Sequence, residues 1–377
     1  MSTIAFFGHN SNEPAVRRRA RAFQSAGHEV IGFMPHRGTK QDTGWPLVDL
    51  GETADNAYGQ RLLSIFKGAK IAVRHERELG RADVIYARNL DMLAAAARAR
   101  SKLSLNTPLI YECLDVHHRL TGTSAIARLL RGIEARLLKH CALVVISSPR
   151  FESEHFAVHY PNAYRSFLLE NLMIDGDNFP DRPTNDDPSP KQRQRLRIGW
   201  FGNLRCRKSL ALLLGLAKNF PEDVDIVLRG YPAPGVFEDF EGEIRPYDNV
   251  SFGGRYNAPD DLSEMYADVD LVWAGDWYEE GANSLWLLPN RIYEGGYFAT
   301  PALAPAGTET ARWLEDHGSG ILLNQPIEQA LEKEILVLLK DRTPIEKLRA
   351  QLLSLPRSTF VETPATTQSL LQAATAT

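Results

Sequence analysis

The sequence predicts an α/β protein made of two doubly wound domains, and three observations carry that expectation. Apolar runs of strand length alternate with stretches of helical periodicity along most of the chain. The alternation is broken once, by the proline-rich, charged and almost apolar-free stretch from Pro180 to Arg195. At 377 residues the chain is long enough to bury a core on either side of that break.

In order, Thr3 to Phe7 is an apolar run ending at Gly8, followed by a polar turn, a helix from about Glu13 to Ala26 stopped by Gly27, and a strand from His28 to Met34. That is a βαβ unit, and its glycine-ended first strand sets Gly8, His9 and Asn10 at the mouth of a cleft. No G-x-G-x-x-G is present, so the dinucleotide fingerprint is missing. From Tyr58 to Lys102 the chain turns basic, with ten Lys or Arg against four Asp or Glu. Leu62, Leu63, Ile65, Phe66, Ile71 and Val73 interleave there with Arg61, Lys67, Lys70 and Arg74, the pattern of a membrane-surface helix or of a solvated helix packed on its own sheet.

Asp83 to Ala87 and Pro108 to Cys113 are the next strands, separated by an alanine-rich helix from about Leu90. Asp115-Val116-His117-His118 follows, then an amphipathic helix with Ile126, Leu129, Leu130, Ile133 and Leu137 on one face and Arg128, Arg131, Arg136 and Lys139 elsewhere. Ala142 to Ser147 and Ser166 to Glu170 complete the first series of strands.

A second series starts with a strand from Leu196 to Gly202, a helix from Lys208 to Asn219, and strands at Val224 to Arg229 and Asn249 to Phe252. A helix from Pro259 to Ala267 and a strand from Asp270 to Ala274 follow, with last strands at Ala302 to Ala304 and Gly320 to Leu323. The expected organisation is an N-terminal domain over 1–180, a linker over 181–195, a C-terminal domain over 196–355, and a tail or helix over 356–377 that crosses back to the N-terminal domain. Ligands of such sheets lie beyond the strand C-termini, so the cleft between the two is the expected site.

The stretch from Pro289 to Pro305 concentrates the chemistry. Pro289 suits a first helical turn, leaving the N–H groups of Asn290, Arg291 and Ile292 to meet an anion. Glu294 comes one turn later as a hydroxyl acceptor, and Gly295-Gly296 reads as a turn before Thr300-Pro301. The plainer alternative is a surface helix with ordinary charges.

Composition excludes several classes. A formal net charge of -4 gives no general argument for nucleic acid. Cys113, Cys141 and Cys206 are far apart, without a C-x-x-C pair, so neither a zinc site nor a disulfide framework is indicated. The N-terminal apolar run is too short for a signal peptide and no later run suits a membrane span, so a cytoplasmic protein is expected, able to sit peripherally on the inner face of the membrane. Asp175-Gly-Asp177 and Asp268-Val-Asp270 are D-x-D patterns, read more simply as turn and cap residues than as metal ligands.

The order of these parts resembles the GT-B glycosyltransferases, particularly the retaining, family-four type that builds bacterial cell-surface polysaccharides. Four landmarks spanning nearly the whole chain carry the resemblance. They are Asp115-x-His117 with the Glu134-containing helix and Ser147-Ser148-Pro149; Glu170-Asn171 with Asp175 and Phe179; Gly202 with Lys208 six residues on; and the Pro289 stretch with Glu294 and Thr300-Pro301. There are departures. Where the family often has Arg after the glycine this chain has Asn203, with Arg205 or Arg207 as replacements. Where it has a second Glu eight positions before Glu294 this chain has Trp286, with Glu280 as a displaced candidate. The Asn290-Arg291 pair resembles a variant branch.

The resemblance implies two facing Rossmann-like domains and transfer of a hexose, with retention, from a nucleotide-diphosphate sugar to a saccharide or lipid-linked saccharide acceptor. It implies neither metal nor other cofactor. Gly202, Asn203, Arg205, Arg207, Lys208 and Arg291 are then the donor phosphate residues, Glu294, Asn290 and Glu280 the ribose and sugar residues, and Arg255 and Tyr256 the base residues. His117 positions the donor sugar and Asp115 orients it or binds acceptor. A helix start contributes roughly 0.3–1 kcal/mol toward an anion, up to about 2 in favourable geometry, whereas a hydrogen bond to a charged group is worth about 1.5–3 kcal/mol. The cationic side chains therefore supply most of the diphosphate binding. Two alternatives stand beside this reading: a nucleotide-sugar epimerase of the same fold, and a catalytically silent nucleotide-sugar-binding partner.

Overall fold

The computed structural model describes residues 1–53, 58–176, 179–184, 193–281 and 283–376, and of 58–64 and 118 the backbone only. The side chains of Arg61, Leu62, Leu63 and His118, all of Asp177, and most of the 181–195 stretch therefore lie outside the described residues.

Two compact units divide the chain. The first comprises Met1–Glu170, Ile174–Gly176 and Glu362–Thr377, the second Asn171–Met173 and Asp177–Val361. The chain thus changes unit ahead of the proline-rich stretch and again near its end.

The first unit holds a seven-stranded sheet of β1 (Thr3–Phe7), β2 (Glu29–His36), β3 (Leu47–Glu52), β4 (Val84–Arg88), β5 (Leu109–Cys113), β6 (Leu143–Ile146) and β7 (Ser166–Leu168). Its order is β3-β2-β1-β4-β5-β6-β7, with every adjacent pair parallel. Parallel strands need both faces covered, which is why β4, β5 and β6 are buried at every position and are apolar except at Arg88 and Glu112, which pair with each other. Ile4, Phe6, Phe23, Tyr86, Ile110 and Leu370 share one core, so the C-terminal helix Pro364–Thr375 belongs to this unit. β3 was not foreseen. It is an edge strand with alternating burial, preceded by Trp45-Pro46, and it offers no apolar run to notice.

After the two-residue strand β8 (Met173–Ile174) comes the second sheet: β9 (Leu196–Leu204), β10 (Val224–Pro232), β11 (Val250–Phe252), β12 (Leu271–Trp273), β13 (Ala302–Pro305) and β14 (Gly320–Leu323). Its order is β11-β10-β9-β12-β13-β14, again all parallel. Period-two alternation along β9 sends Ile198 and Trp200 into the core on one face and Phe201 into the core on the other. β9 and β10 run beyond the ends expected for them at Gly202 and Arg229. Gly202 (φ +102°) and Gly230 (φ +130°) pair in register, and without side chains the two backbones stay close enough to continue.

Two local expectations are corrected. Gly295-Gly296 is not a turn: the helix Asn290–Tyr297 runs through both, and the chain turns afterwards at Ala299 (φ +56°). A β-carbon on Gly296 would lie 2.2 Å from the Phe360 ring, so glycine is there for close packing. Pro289 stands one residue ahead of the helix, and its carbonyl accepts from the Ile292 N–H, so that N–H is not left for an anion.

The helix Ala125–Leu138 is seated against the usual rule that an apolar stripe faces the core. It buries Ala127, Glu134 and Leu138, while Ile126 (57%), Leu129 (65%) and Ile133 (36%) are exposed. Glu134 is fully enclosed and satisfied by three donors: Tyr111 Oη at 2.9 Å, Tyr160 Oη at 2.5 Å and His155 Nε2 at 2.9 Å. Those groups decide which face turns inward. In the basic stretch, the helix Tyr58–Arg74 buries Gly68, Ala69 and Ala72 and leaves Phe66 exposed beneath the Arg98 guanidinium.

Candidate functional site

In a doubly wound sheet the loops on either side of the strand-order reversal splay apart and leave a crevice beyond the strand ends. The second sheet reverses between β9 and β12, and of the predicted phosphate residues Gly202 and Asn203 lie in the last positions of β9 and Arg205, Arg207 and Lys208 just after it. Cys206 caps the helix Arg207–Asn219, its thiol sulfur accepting from the Ser209 N–H at 3.3 Å and from the Trp277 N–H at 3.2 Å. The first turn of that helix holds Arg207 and Lys208 and no acid. Cations at the positive end of a helix dipole are unfavourable unless an anion joins them.

The loop after β12 meets them. Arg205 Nε lies 3.0 Å from the buried Asp276 Oδ2, and Lys208 Nζ lies 3.2 Å from Glu280 Oε1 and 4.6 Å from the centre of the Trp277 ring. Arg205 also stands over Tyr278. Arg207 turns elsewhere, donating to the Val236 carbonyl at 2.7 Å and lying over Phe237. Arg205 and Lys208 are therefore both drawn to the loop from Asp276 to Glu280, while Asn203 is exposed.

Arg291 is buried. Its Nη1 donates to the Phe201 carbonyl at 3.0 Å, so it braces the end of β9 from beneath. Burial pushes its guanidinium below the ordinary value, with the charge of Asp276 working the other way. Glu294, also buried, accepts from Tyr266 Oη at 2.9 Å, and burial together with that carboxylate holds the Tyr266 hydroxyl well above its usual pKa, as a donor. Asn290 accepts from the Asn171 amide, which ties the second and fourth landmarks together. Tyr256 Oη lies 3.8 Å from where a β-carbon on Gly202 would stand, and the Gly254 carbonyl accepts from Gly230 N, so the base-reading turn adjoins the glycine crossing. Arg255 lies over Tyr231.

The first sheet reverses between β1 and β4, and the loops there also meet: Asn89 Nδ2 lies 3.2 Å from His9 Nδ1. His9 Nε2 pairs with Glu13, and Asn10 Oδ1 accepts from the Arg37 N–H at 3.3 Å. Burial alone would raise the Glu13 pKa; the hydrogen bond and charge of His9, with Arg88 and Arg37, outweigh it and hold the carboxyl below its usual range. His117, half-buried, caps the short helix His118–Thr121 with Nδ1 accepting from Arg119 N at 3.2 Å, while its carbonyl accepts from Leu120 N. Asp115 is exposed.

Asp276, Trp277 and Tyr278 were missed in the sequence. Their signal was position: a polar and aromatic run straight after a buried strand, at the reversal point. Of the D-x-D residues, Asp268 pairs with Arg197 at 2.6 Å and Asp270 accepts from Arg197 N at 2.8 Å, both engaged in bracing β9.

No family model matches the chain. It is 38% identical over 330 residues to the succinoglycan biosynthesis protein ExoL of Rhizobium meliloti (strain 1021), covering 86% of this chain and 81% of that protein. Among solved structures it is similar to Anabaena HepE in complex with UDP and glucose (TM-score 0.73, 16% identity, all of both chains). Sucrose-phosphate synthase of Thermosynechococcus elongatus superposes at 0.73 with 15% identity over 99% and 98% of the chains. WaaG, a glycosyltransferase involved in lipopolysaccharide biosynthesis, superposes at 0.66 with 16% identity over 99% and 100%. With its two parallel Rossmann-like sheets the chain has the GT-B glycosyltransferase fold, and it belongs to the family of the succinoglycan biosynthesis protein ExoL.

Proposed function

We propose that the protein transfers a hexose, with retention, from a nucleotide-diphosphate sugar to a lipid-linked saccharide acceptor in cell-surface polysaccharide synthesis. The observation that carries this reading is the acid-free helix start of Arg207 and Lys208 at the strand-order reversal, held beside Gly202 and Arg205. A diphosphate placed there takes Lys208 from Glu280 and meets the helix N–H groups, with Trp277 as a wall. The freed Glu280 accepts from a hydroxyl of the donor sugar, and Glu294 with Tyr266 faces the ribose. UDP, which HepE binds, is the nucleotide this reading favours.

In this scheme the leaving phosphate deprotonates the acceptor hydroxyl, His117 positions the donor sugar, Asp115 orients the acceptor, and no metal takes part. The work is done on the cytoplasmic side of the membrane, beside an anionic lipid acceptor. A thermal-shift panel of UDP, GDP, ADP and TDP with their sugars tests it. One nucleotide should raise the melting temperature of wild type, and Lys208→Ala and Glu294→Ala should abolish the rise while keeping the wild-type circular dichroism. If no nucleotide stabilises the chain, the donor site is not where it is drawn here. Binding of a nucleotide sugar without transfer to any lipid-linked acceptor would favour a silent binding partner, and interconversion of the sugar without an acceptor an epimerase.

A further inference from the structure

Of the residues from Arg205 to Ser209, all but Arg207 reach the loop that follows β12, and they reach it in two ways. Arg205 and Lys208 do so by charge, through Asp276 and Glu280. Cys206 and Ser209 do so without charge: the Cys206 sulfur accepts from the Trp277 N–H at 3.2 Å, and the Ser209 hydroxyl donates to the Gly275 carbonyl at 3.0 Å. Cys206, Ser209 and Gly275 are buried, whereas Lys208 and Glu280 are exposed. The neutral clamp is thus shut away from solvent, and the Lys208 pair stands in it.

That difference matters when a diphosphate arrives. Its charges compete with the two carboxylates for Lys208 and Arg205, so both ion pairs are open to exchange. Hydrogen bonds between neutral buried groups are not, and they hold the loop in one place with the ligand bound or absent. The loop carries Trp277, whose ring centre lies 4.6 Å from Lys208 Nζ, close enough for a cation to be attracted by the ring face. The seat of that ring is tight, since a β-carbon on Gly275 would lie 2.7 Å from Trp273 and 3.0 Å from Trp277. Sulfur suits the joint. Cys206 also accepts from the Ser209 N–H at 3.3 Å, so one large acceptor atom both caps the helix Arg207–Asn219 and holds the loop, at distances beyond the usual N–H···O spacing.

We propose that Cys206, assisted by Ser209, is a positioning residue for donor binding: the clamp fixes the Trp277 ring against Lys208, so that the ammonium stays aimed at the diphosphate after Glu280 is displaced. This role rests on the donor-site reading above and names what keeps that site in shape.

Calorimetric titration of the full chain with UDP tests it, alongside urea unfolding of each variant. Cys206→Ala should weaken UDP about tenfold, the worth of one neutral hydrogen bond. Cys206→Ser, whose hydroxyl oxygen offers two lone pairs, should restore most of that loss. Ser209→Ala breaks the same clamp while keeping the backbone N–H that meets the cap, so it reports the clamp if Cys206→Ala fails to fold, again with a loss of up to about tenfold. The decisive readout is coupling. Because Cys206 acts through Lys208, adding Cys206→Ala to Lys208→Ala should change the UDP affinity by no more than about twofold. A cysteine that only stabilised the helix would lower the urea midpoint and leave the UDP affinity of the folded protein unchanged, which overturns the role. So do losses that add to that of Lys208→Ala, or a serine variant as weak as the alanine one. If wild type binds no UDP, the donor-site reading falls and this role falls with it. If wild type binds UDP and both clamp variants bind it as tightly, the donor site stands and only the clamp is lost.

Discussion

Gly230 crosses Gly202 so closely that a β-carbon on Gly230 would lie 1.8 Å from the Gly202 carbonyl oxygen. The opposing atoms are backbone and cannot swing aside, and Gly230 also sits at φ +130°. Gly230→Ala is therefore expected to cost at least about 3 kcal/mol, read as a drop in the urea midpoint. Because the crossing supports the loops after β9 and β11, nucleotide binding should fail in whatever fraction stays folded.

Lys208 and Arg205 reach the same crevice but hold different carboxylates. Removal of either side chain should weaken the nucleotide about 10- to 100-fold, the value of one hydrogen bond to a charged group, measured by calorimetric titration. Arg207→Ala, whose guanidinium faces Val236 and Phe237, should change it less.

Arg19, Arg88, Glu112 and Glu362 form a buried, balanced set of charges, with Arg88 Nη2 2.9 Å from Glu112 Oε1 and Arg19 Nη1 2.8 Å from Glu362 Oε1. Breaking it at one member leaves a buried charge uncompensated. Glu362→Gln is expected to destabilise by about 3–5 kcal/mol, whereas replacing a surface pair such as Arg195 with Glu222 should be nearly silent.

The same set predicts a response to acid. Burial would raise the Glu112 pKa, but Arg88 and Arg19 outweigh it, so the carboxyl lies below its ordinary 4.5. A group depressed in the folded state contributes fully above its unfolded pKa and loses that contribution as pH falls through the folded one. Stability should be flat in this respect above pH 4.5 and decline below it. The decline should be shallower in Glu112→Gln, followed by urea unfolding between about pH 3 and 7.

Retention can be checked directly. Proton NMR of the first product formed should show the donor's anomeric configuration, and turnover should survive a chelator. An inverted product would remove His117 and Asp115 from the roles assigned to them.

The fold was legible because strands buried on both faces are mostly apolar, as β1, β4, β5, β6 and β9 are apart from Arg88, Glu112, Arg197 and Asn203. After β9 the glycine and the cations could be seen in the sequence, but at Pro289 the residues were noticed and their geometry was misread, since the helix runs through Gly295-Gly296 and Arg291 is buried. What could not be read was burial that depends on distant polar partners. Nothing local says that Glu134 turns inward, because its donors Tyr111, His155 and Tyr160 come from other elements. Nothing local says that Arg291 braces the Phe201 carbonyl instead of standing open. β3 was lost because an edge strand with one wet face carries half the apolar signal.

The Arg19 to Glu362 pair also bears on how the protein is made. About 190 residues separate the end of the first unit's main segment at Glu170 from its last piece at Glu362. At typical elongation rates that interval is roughly 10–40 s. Throughout it the first unit exists on the ribosome without the helix Pro364–Thr375, with Arg19 facing Glu112 but not Glu362 and with Leu370 absent from its core. The first unit is therefore completed only after the second has been synthesised, when the segment carrying Glu362 and Leu370 emerges.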